Sequence, residues 1–92
     1  MRGKKAAVIG TGTMGPGIAE MFALGGWRTV LCGRTADTVR SGLSRARKAG
    51  RDLENFGLIE RGCAAGAGRR LSGTTDLEAA FLRFAGEVAV AA

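Results

Sequence analysis

The stretch VIGTGTMGPGIA, residues 8–19, constrains the fold of this 92-residue chain more than any other feature. The apolar run Lys5-Ala6-Ala7-Val8-Ile9 stops at Gly10, and glycines at positions 10, 12 and 15 give the spacing G-x-G-x-x-G. A short apolar run bounded by glycine reads as a strand buried on both faces. From Met14 onward, apolar residues at 14, 18, 21 and 22 fall on one face of a helix. Gly25-Gly26 supplies its stop, because only glycine enters the left-handed C-terminal cap without steric cost. Arg28-Thr29-Val30-Leu31-Cys32 then reads as a second strand, ended by Gly33. Strand, glycine turn, helix and strand in that order form a βαβ unit, whose two strands run parallel.

The remainder continues the alternation. Thr35 or Asp37 is placed to cap a long helix with apolar positions Val39, Leu43, Ala46 and Leu53. Its other face carries Arg40, Arg45, Arg47, Lys48 and Arg51, most simply a solvated surface. Residues 57–68 hold Gly57, Gly62, Gly66 and Gly68, each costing a helix about 1 kcal/mol relative to alanine. A short helix around 59–66 is expected there. Arg69–Gly73 reads as a third strand, Thr74 or Thr75 as a cap, 76–84 as a helix and Glu87–Ala91 as a fourth strand. The expected fold class is α/β: a Rossmann-type parallel sheet of four strands, order 3-2-1-4, with helices on both faces. No linker or repeat divides the 92 residues, so they are read as one unit.

Composition narrows the classes of partner. Apolar residues make up 46% and charged residues 24%, which fits a globular domain and not a disordered one. No apolar run approaches the roughly 20 residues of a membrane span, and the N-terminus lacks the apolar core of a signal peptide. The net charge of +6 comes from 14 Lys and Arg against 8 Asp and Glu. Those cations are dispersed and tyrosine is absent, so nucleic acid is not the expected partner and an anionic small ligand is. Cys32 and Cys63 have no metal-type spacing; they read as reduced thiols, and a cytoplasmic location is expected.

Glycine is 16 of 92 residues, so a bare G-x-G-x-x-G arises by chance about as often as not in such a chain. Its position between a strand and a helix gives it meaning, since each glycine then has a task. Gly10 permits the tight turn, Gly12 lets the backbone approach a pyrophosphate, and Gly15 allows the helix to pack on the strand. The free N–H groups of the first helical turn, around Thr13, Met14 and Gly15, would face the phosphates with the positive end of the helix dipole. Pro16 is tolerated in that turn, where its missing N–H would be unpaired anyway.

The run Lys5-Ala6-Ala7-Val8-Ile9-Gly10-Thr11-Gly12-Thr13-Met14-Gly15-Pro16-Gly17-Ile18-Ala19 closely resembles the opening of the 3-hydroxyacyl-CoA dehydrogenase family, with its G-x-G-x-M-G-x-G-I-A pattern. Thr74-Thr75-Asp76-Leu77 is similar to that family's T-T-D-L after the third strand, and Glu87–Ala92 to its fourth strand. The resemblance implies a nicotinamide cofactor, hydride transfer with a 3-hydroxyacyl-CoA, and a place in fatty acid metabolism. It implies acyl-CoA contacts through a further domain, and it makes this chain look like a truncated front part of a Rossmann domain.

The chain also departs from that pattern. Gly33 stands where the family has an aspartate that binds the adenine ribose, and Ala91 where it has a glutamate. Residues 48–60 do not match the polar residues with which the family's helical hairpin holds coenzyme A. The family's catalytic histidine has no counterpart, because the chain contains no histidine. Removing a proton from a 3-hydroxyl requires a general base, so no catalytic residue and no metal ligand is assigned, and the 92 residues alone are expected to be inactive.

The second strand's end bears on which dinucleotide binds. An acid near that position selects NAD by accepting from the ribose hydroxyls. Gly33 removes the acceptor, Arg34 offers a planar fork suited to a 2′-phosphate, and Thr35 adds a hydroxyl. NAD or NADP is therefore the expected cofactor, with the residues leaning to NADP and the family to NAD. Two other readings stand beside this one: a β-hydroxyacid dehydrogenase-type domain, and a nucleotide-binding module without catalysis. An uncovered fourth strand leads to an expectation of self-association, a homo-oligomer included.

Overall fold

The computed structural model describes residues 4–84 and 88–91. Their order is β1 (Lys5–Ile9), α1 (Gly15–Leu24), β2 (Arg28–Cys32), α2 (Ala36–Asn55), α3 (Cys63–Arg70), β3 (Leu71–Thr74), α4 (Leu77–Phe84) and β4 (Val88–Ala91). The strands form one sheet in the order β3-β2-β1-β4, every neighbouring pair parallel. Ala7 sits in register with Val30 on one side and Ala89 on the other. The α/β class with a parallel sheet and covering helices is the one expected. Parallel strands need crossover connections, which is why helices cover both faces.

The core divides by sheet face. Val8, Leu31 and Leu71 pack with Ala19 and Ala23 of α1, Ala46 of α2 and Ala67 of α3. On the opposite face Ala7, Val30 and Cys32 pack with Ala80 of α4. Ala6, Ala7 and Val8 are fully buried in succession, as a strand covered on both sides requires. Burying a side chain such as Leu31 contributes about 1.5–3 kcal/mol.

The helices meet the sheet through small residues, and this corrects part of the face expected for α1: Ile18 and Phe22 pack against the core, but Met14 and Met21 do not. Its buried positions are Gly15, Pro16, Ala19, Glu20 and Ala23, whereas Met14 and Met21 stay 68% and 64% exposed. Small side chains at four-residue spacing bring the helix axis close to the sheet and push the bulkier stripe to the rim. In α2 the buried stripe is Val39, Gly42, Ala46 and Gly50, with Leu43 and Leu53 only half-buried. The stop of α1 falls on Gly26, at φ 96°, whose N–H donates to the Ala23 carbonyl at 3.1 Å.

Three further boundaries differ from expectation. The helix expected around 59–66 runs over Cys63–Arg70, and the third strand begins at Leu71 instead of Arg69. Tertiary packing offsets the cost of Gly66 and Gly68: Ala67 is buried in the core, and Arg70 Nε donates to the Ala23 carbonyl at 2.8 Å. Arg69 and Arg70 also sit in the last turn, where cations favour the helix dipole. The cap of α4 is Asp76, not Thr74 or Thr75; its Oδ1 accepts from the Ala79 N–H at 3.0 Å. Thr74 Oγ1 in turn accepts from the Asp76 N–H. β4 is described over Val88–Ala91; the expected start at Glu87, and Ala92, lie outside the described residues.

Candidate nucleotide-binding site

Parallel sheets place their binding sites at the carboxyl ends of the strands. Here a cleft of about 530 Å³ opens at the ends of β1 and β2. Ile9, Gly10 and Thr11 form one wall and Cys32, Gly33 and Arg34 another; Thr38, Thr75 and Leu77 complete it. Gly10 has φ 120°, a conformation that a residue with a β-carbon rarely adopts, and its N–H donates to the Cys32 carbonyl at 2.8 Å. That bond ties the turn after β1 to the end of β2. The Gly33 N–H donates to the Thr74 carbonyl at 3.1 Å, carrying the same tie onward to β3.

The loop then climbs to α1. Gly12 is exposed, and no described atom beyond its two chain neighbours lies within 4 Å of where its β-carbon would stand. Its φ is not positive either, so neither backbone strain nor packing within the described chain calls for glycine here. A ligand that approaches the backbone does call for it. Met14 is the N-cap of α1 and makes no side-chain cap bond, and no acidic residue stands in the first turn. Uncapped N–H groups at the positive end of a helix are suited to an anion.

The expected residues separate into two groups. Gly10, Gly33 and Arg34 meet in the cleft. Gly12 and Thr13 lie on the loop beside it, with Gly15 buried in the first turn of α1. Met14 points elsewhere: with Thr13, Met21, Leu53 and Phe56 it lines an apolar groove between α1 and α2. Thr35 is the N-cap of α2, its Oγ1 accepting from the Thr38 N–H at 3.1 Å and donating to Thr38 Oγ1. Its hydroxyl is engaged in capping; Thr38, which sequence reasoning missed, lines the cleft while closing the same capping box, its Oγ1 accepting from the Thr35 N–H and donating to the Thr35 carbonyl.

Thr11, Thr75 and Arg45 were missed as well. Thr11 occupies a free position of the glycine motif, which carries no residue-type signal. The helical pattern puts Arg45 on the solvated face, yet its Nη2 donates to the Thr11 carbonyl at 2.6 Å and its Nη1 to the Gly12 carbonyl at 3.3 Å. Arg34 is exposed and has no carboxylate partner among the described residues. Cys32, in the cleft wall, is a neutral thiol: burial pushes its pKa up, and the Asp76 carboxylate adds to the shift. Both cysteines are free, and the described residues contain no cluster suited to a metal.

Fold and glycine loop together define a Rossmann-type nucleotide-binding domain. The family model for the 3-hydroxyacyl-CoA dehydrogenase NAD-binding domain matches residues 5–88, and the chain belongs to that family. Among solved structures it is similar to 3-hydroxybutyryl-CoA dehydrogenase from Escherichia coli K12, with TM-score 0.83 and 24% identity, over 99% of this chain and 19% of that one. It is similar to FadB2 of M. tuberculosis, with TM-score 0.85 and 25% identity, over 97% of this chain and 30% of that one. The (S)-3-hydroxybutyryl-CoA dehydrogenase PaaH1 of Ralstonia eutropha gives TM-score 0.81 and 23% identity, over 95% of this chain and 30% of that one. The chain thus spans less than a third of the length of each of these proteins.

Proposed function

We propose that this chain seats the adenosine and pyrophosphate of NAD(P) in an oxidoreductase that acts on a 3-hydroxyacyl-CoA. The observation that carries the reading is the open side of Gly12 next to the uncapped start of α1. Gly10, Gly12, Thr13 and Gly15 hold the pyrophosphate through backbone N–H groups and the helix dipole. Gly33 and Arg34, with Thr38, face the adenosine ribose. The bound dinucleotide supplies the hydride chemistry, while these residues orient it.

The finer choice is NADP. No carboxylate stands at Gly33 to repel a 2′-phosphate, and the Arg34 fork, with no carboxylate partner among the described residues, lies on the rim of the same cleft. Acyl-CoA contacts and proton transfer are assigned to none of these 92 residues, which include no histidine. Alone they bind without turning over. A role in fatty acid metabolism follows from the proposed substrate class, and the two free thiols support a reducing, cytoplasmic setting.

Calorimetry of Gly12→Val tests the reading. A side chain there meets no described neighbour, so folding is retained while the pyrophosphate is blocked. The expected result is a loss of dinucleotide affinity of at least about ten-fold, from the lost charge-assisted contacts. Unchanged affinity overturns the pyrophosphate assignment. Reduction of acetoacetyl-CoA by the isolated chain overturns the assignment of inactivity.

A further inference from the structure

Arg45 projects from α2 onto the glycine loop. A β-carbon on Gly42, one turn earlier, would stand 2.8 Å from Leu31 Cδ2 and 3.4 Å from Thr11 Cβ. Glycine at 42 therefore lets α2 lie against β2 and the start of the loop. Residues three apart share a helix face, so this approach carries the Arg45 guanidinium to the loop's carbonyls. Its two terminal nitrogens donate to two successive carbonyls, Thr11 at 2.6 Å and Gly12 at 3.3 Å.

The peptide units Thr11–Gly12 and Gly12–Thr13 are planar and trans, and in such a unit the N–H points opposite to the C=O. Holding both carbonyls toward α2 turns the N–H groups of Gly12 and Thr13 to the opposite side of the loop. Neither amide has a protein partner among the described residues. The fork also draws the negative ends of the two carbonyls away from the face an anion would approach. We infer that Arg45 is a positioning residue: it holds the Thr11–Gly12–Thr13 backbone with its amides presented to the dinucleotide pyrophosphate. This role rests on the nucleotide reading proposed above. It needs the planar fork, because an ammonium offers a point charge that cannot span both carbonyls in one fixed geometry.

The test uses the full 92-residue chain with Arg45→Ala, Arg45→Lys and, as a control, Arg40→Ala. Arg40 is an exposed cation on the same helix, paired with Asp37. Without ligand, 15N relaxation at Gly12 and Thr13 is expected to show a more mobile loop in both Arg45 variants and no change in Arg40→Ala. Unchanged relaxation in Arg45→Ala overturns the positioning role, whatever binds. By calorimetry Arg45→Ala is expected to weaken NAD binding about ten-fold, the value of one charge-assisted contact, and to leave adenosine binding unchanged. Full rescue by Arg45→Lys would show that charge alone acts, and would overturn the role given to the fork. A wild-type chain that binds neither NAD nor adenosine overturns the nucleotide reading, while the relaxation data still decide the role of Arg45 in the loop.

Discussion

Gly50 of α2 faces Glu20 of α1 so closely that a β-carbon at residue 50 would overlap the Glu20 carboxylate. Both residues are buried. The glycine is therefore the complement of the acid, and the pair sets how near the two helices lie. Alanine for glycine inside a helix ordinarily gains about 1 kcal/mol, whereas overpacking a core contact costs about 1–3 kcal/mol. The atom met is the far end of a side chain, so Gly50→Ala is expected to push the carboxylate aside and to fall short of the ordinary gain in chemical denaturation. Glu20→Ala in the same chain should restore that gain, and additive effects in the double variant would refute the overlap.

The Glu20 carboxylate is 1% exposed, and neither oxygen has a hydrogen-bond partner among the described residues. Burial pushes its pKa up, opposed by the charges of Arg47 and Arg51 on α2 and Arg70 on α3. A carboxyl whose pKa is raised on folding binds its proton more tightly in the folded state. Its contribution is then fully present below the unfolded value and is lost as pH rises through the folded one. Urea midpoints should fall as pH rises above the ordinary carboxylate range. Glu20→Gln, which cannot ionise, should flatten the fall; an unchanged slope would place its cause elsewhere.

The βαβ unit was legible because apolar periodicity and glycine spacing act locally, and Gly10 and Gly33 are brought together by the registry of β1 with β2. The start of α3 and β3 was not legible: glycine propensity argued against a helix over Gly66 and Gly68, and contacts from Ala67 and Arg70 override it. Thr35 and Thr38 close one capping box together, and only the approach of the end of β2 sets that Thr38 is the one lining the cleft. Arg45 was hidden for a different reason. Nothing in its own segment separates it from Arg40 or Arg51; only the approach of α2 at Gly42, distant in sequence from the loop, gives it a partner.

The outer surface of α4 bears on association. Leu77, Phe81 and Leu82 are 52%, 55% and 77% exposed, and β4 lies at the end of the sheet order. Exposed apolar side chains beside a strand edge favour pairing with another chain. Sedimentation of the 92-residue chain is expected to show self-association at micromolar concentration, reduced by Phe81→Lys with Leu82→Lys. A wild-type monomer throughout that range would contradict this.

Nucleotide preference is the sharpest test of the cleft. A β-carbon on residue 33 would stand 2.7 Å from Thr11 Cγ2 and 3.0 Å from Val39 Cγ2. Gly33→Asp alone, intended to restore a ribose acceptor, would therefore also displace the glycine loop. It is expected to weaken NAD and NADP alike and to lower stability. Adding Thr11→Ser removes the nearer of the two methyls while keeping a hydroxyl, so the double variant is the one expected to favour NAD. Arg34→Ala should weaken NADP by about 1.5–3 kcal/mol, ten- to over a hundred-fold, and leave NAD nearly unchanged. Added salt should weaken NADP more than NAD in the wild type, because an exposed charge pair is screened. The deciding quantity is the ratio of the two dissociation constants across wild type, Arg34→Ala and the double variant. A wild-type ratio favouring NAD would make Arg34 a solvated loop residue and leave the ribose to be held through Thr38 and the ends of β1 and β2.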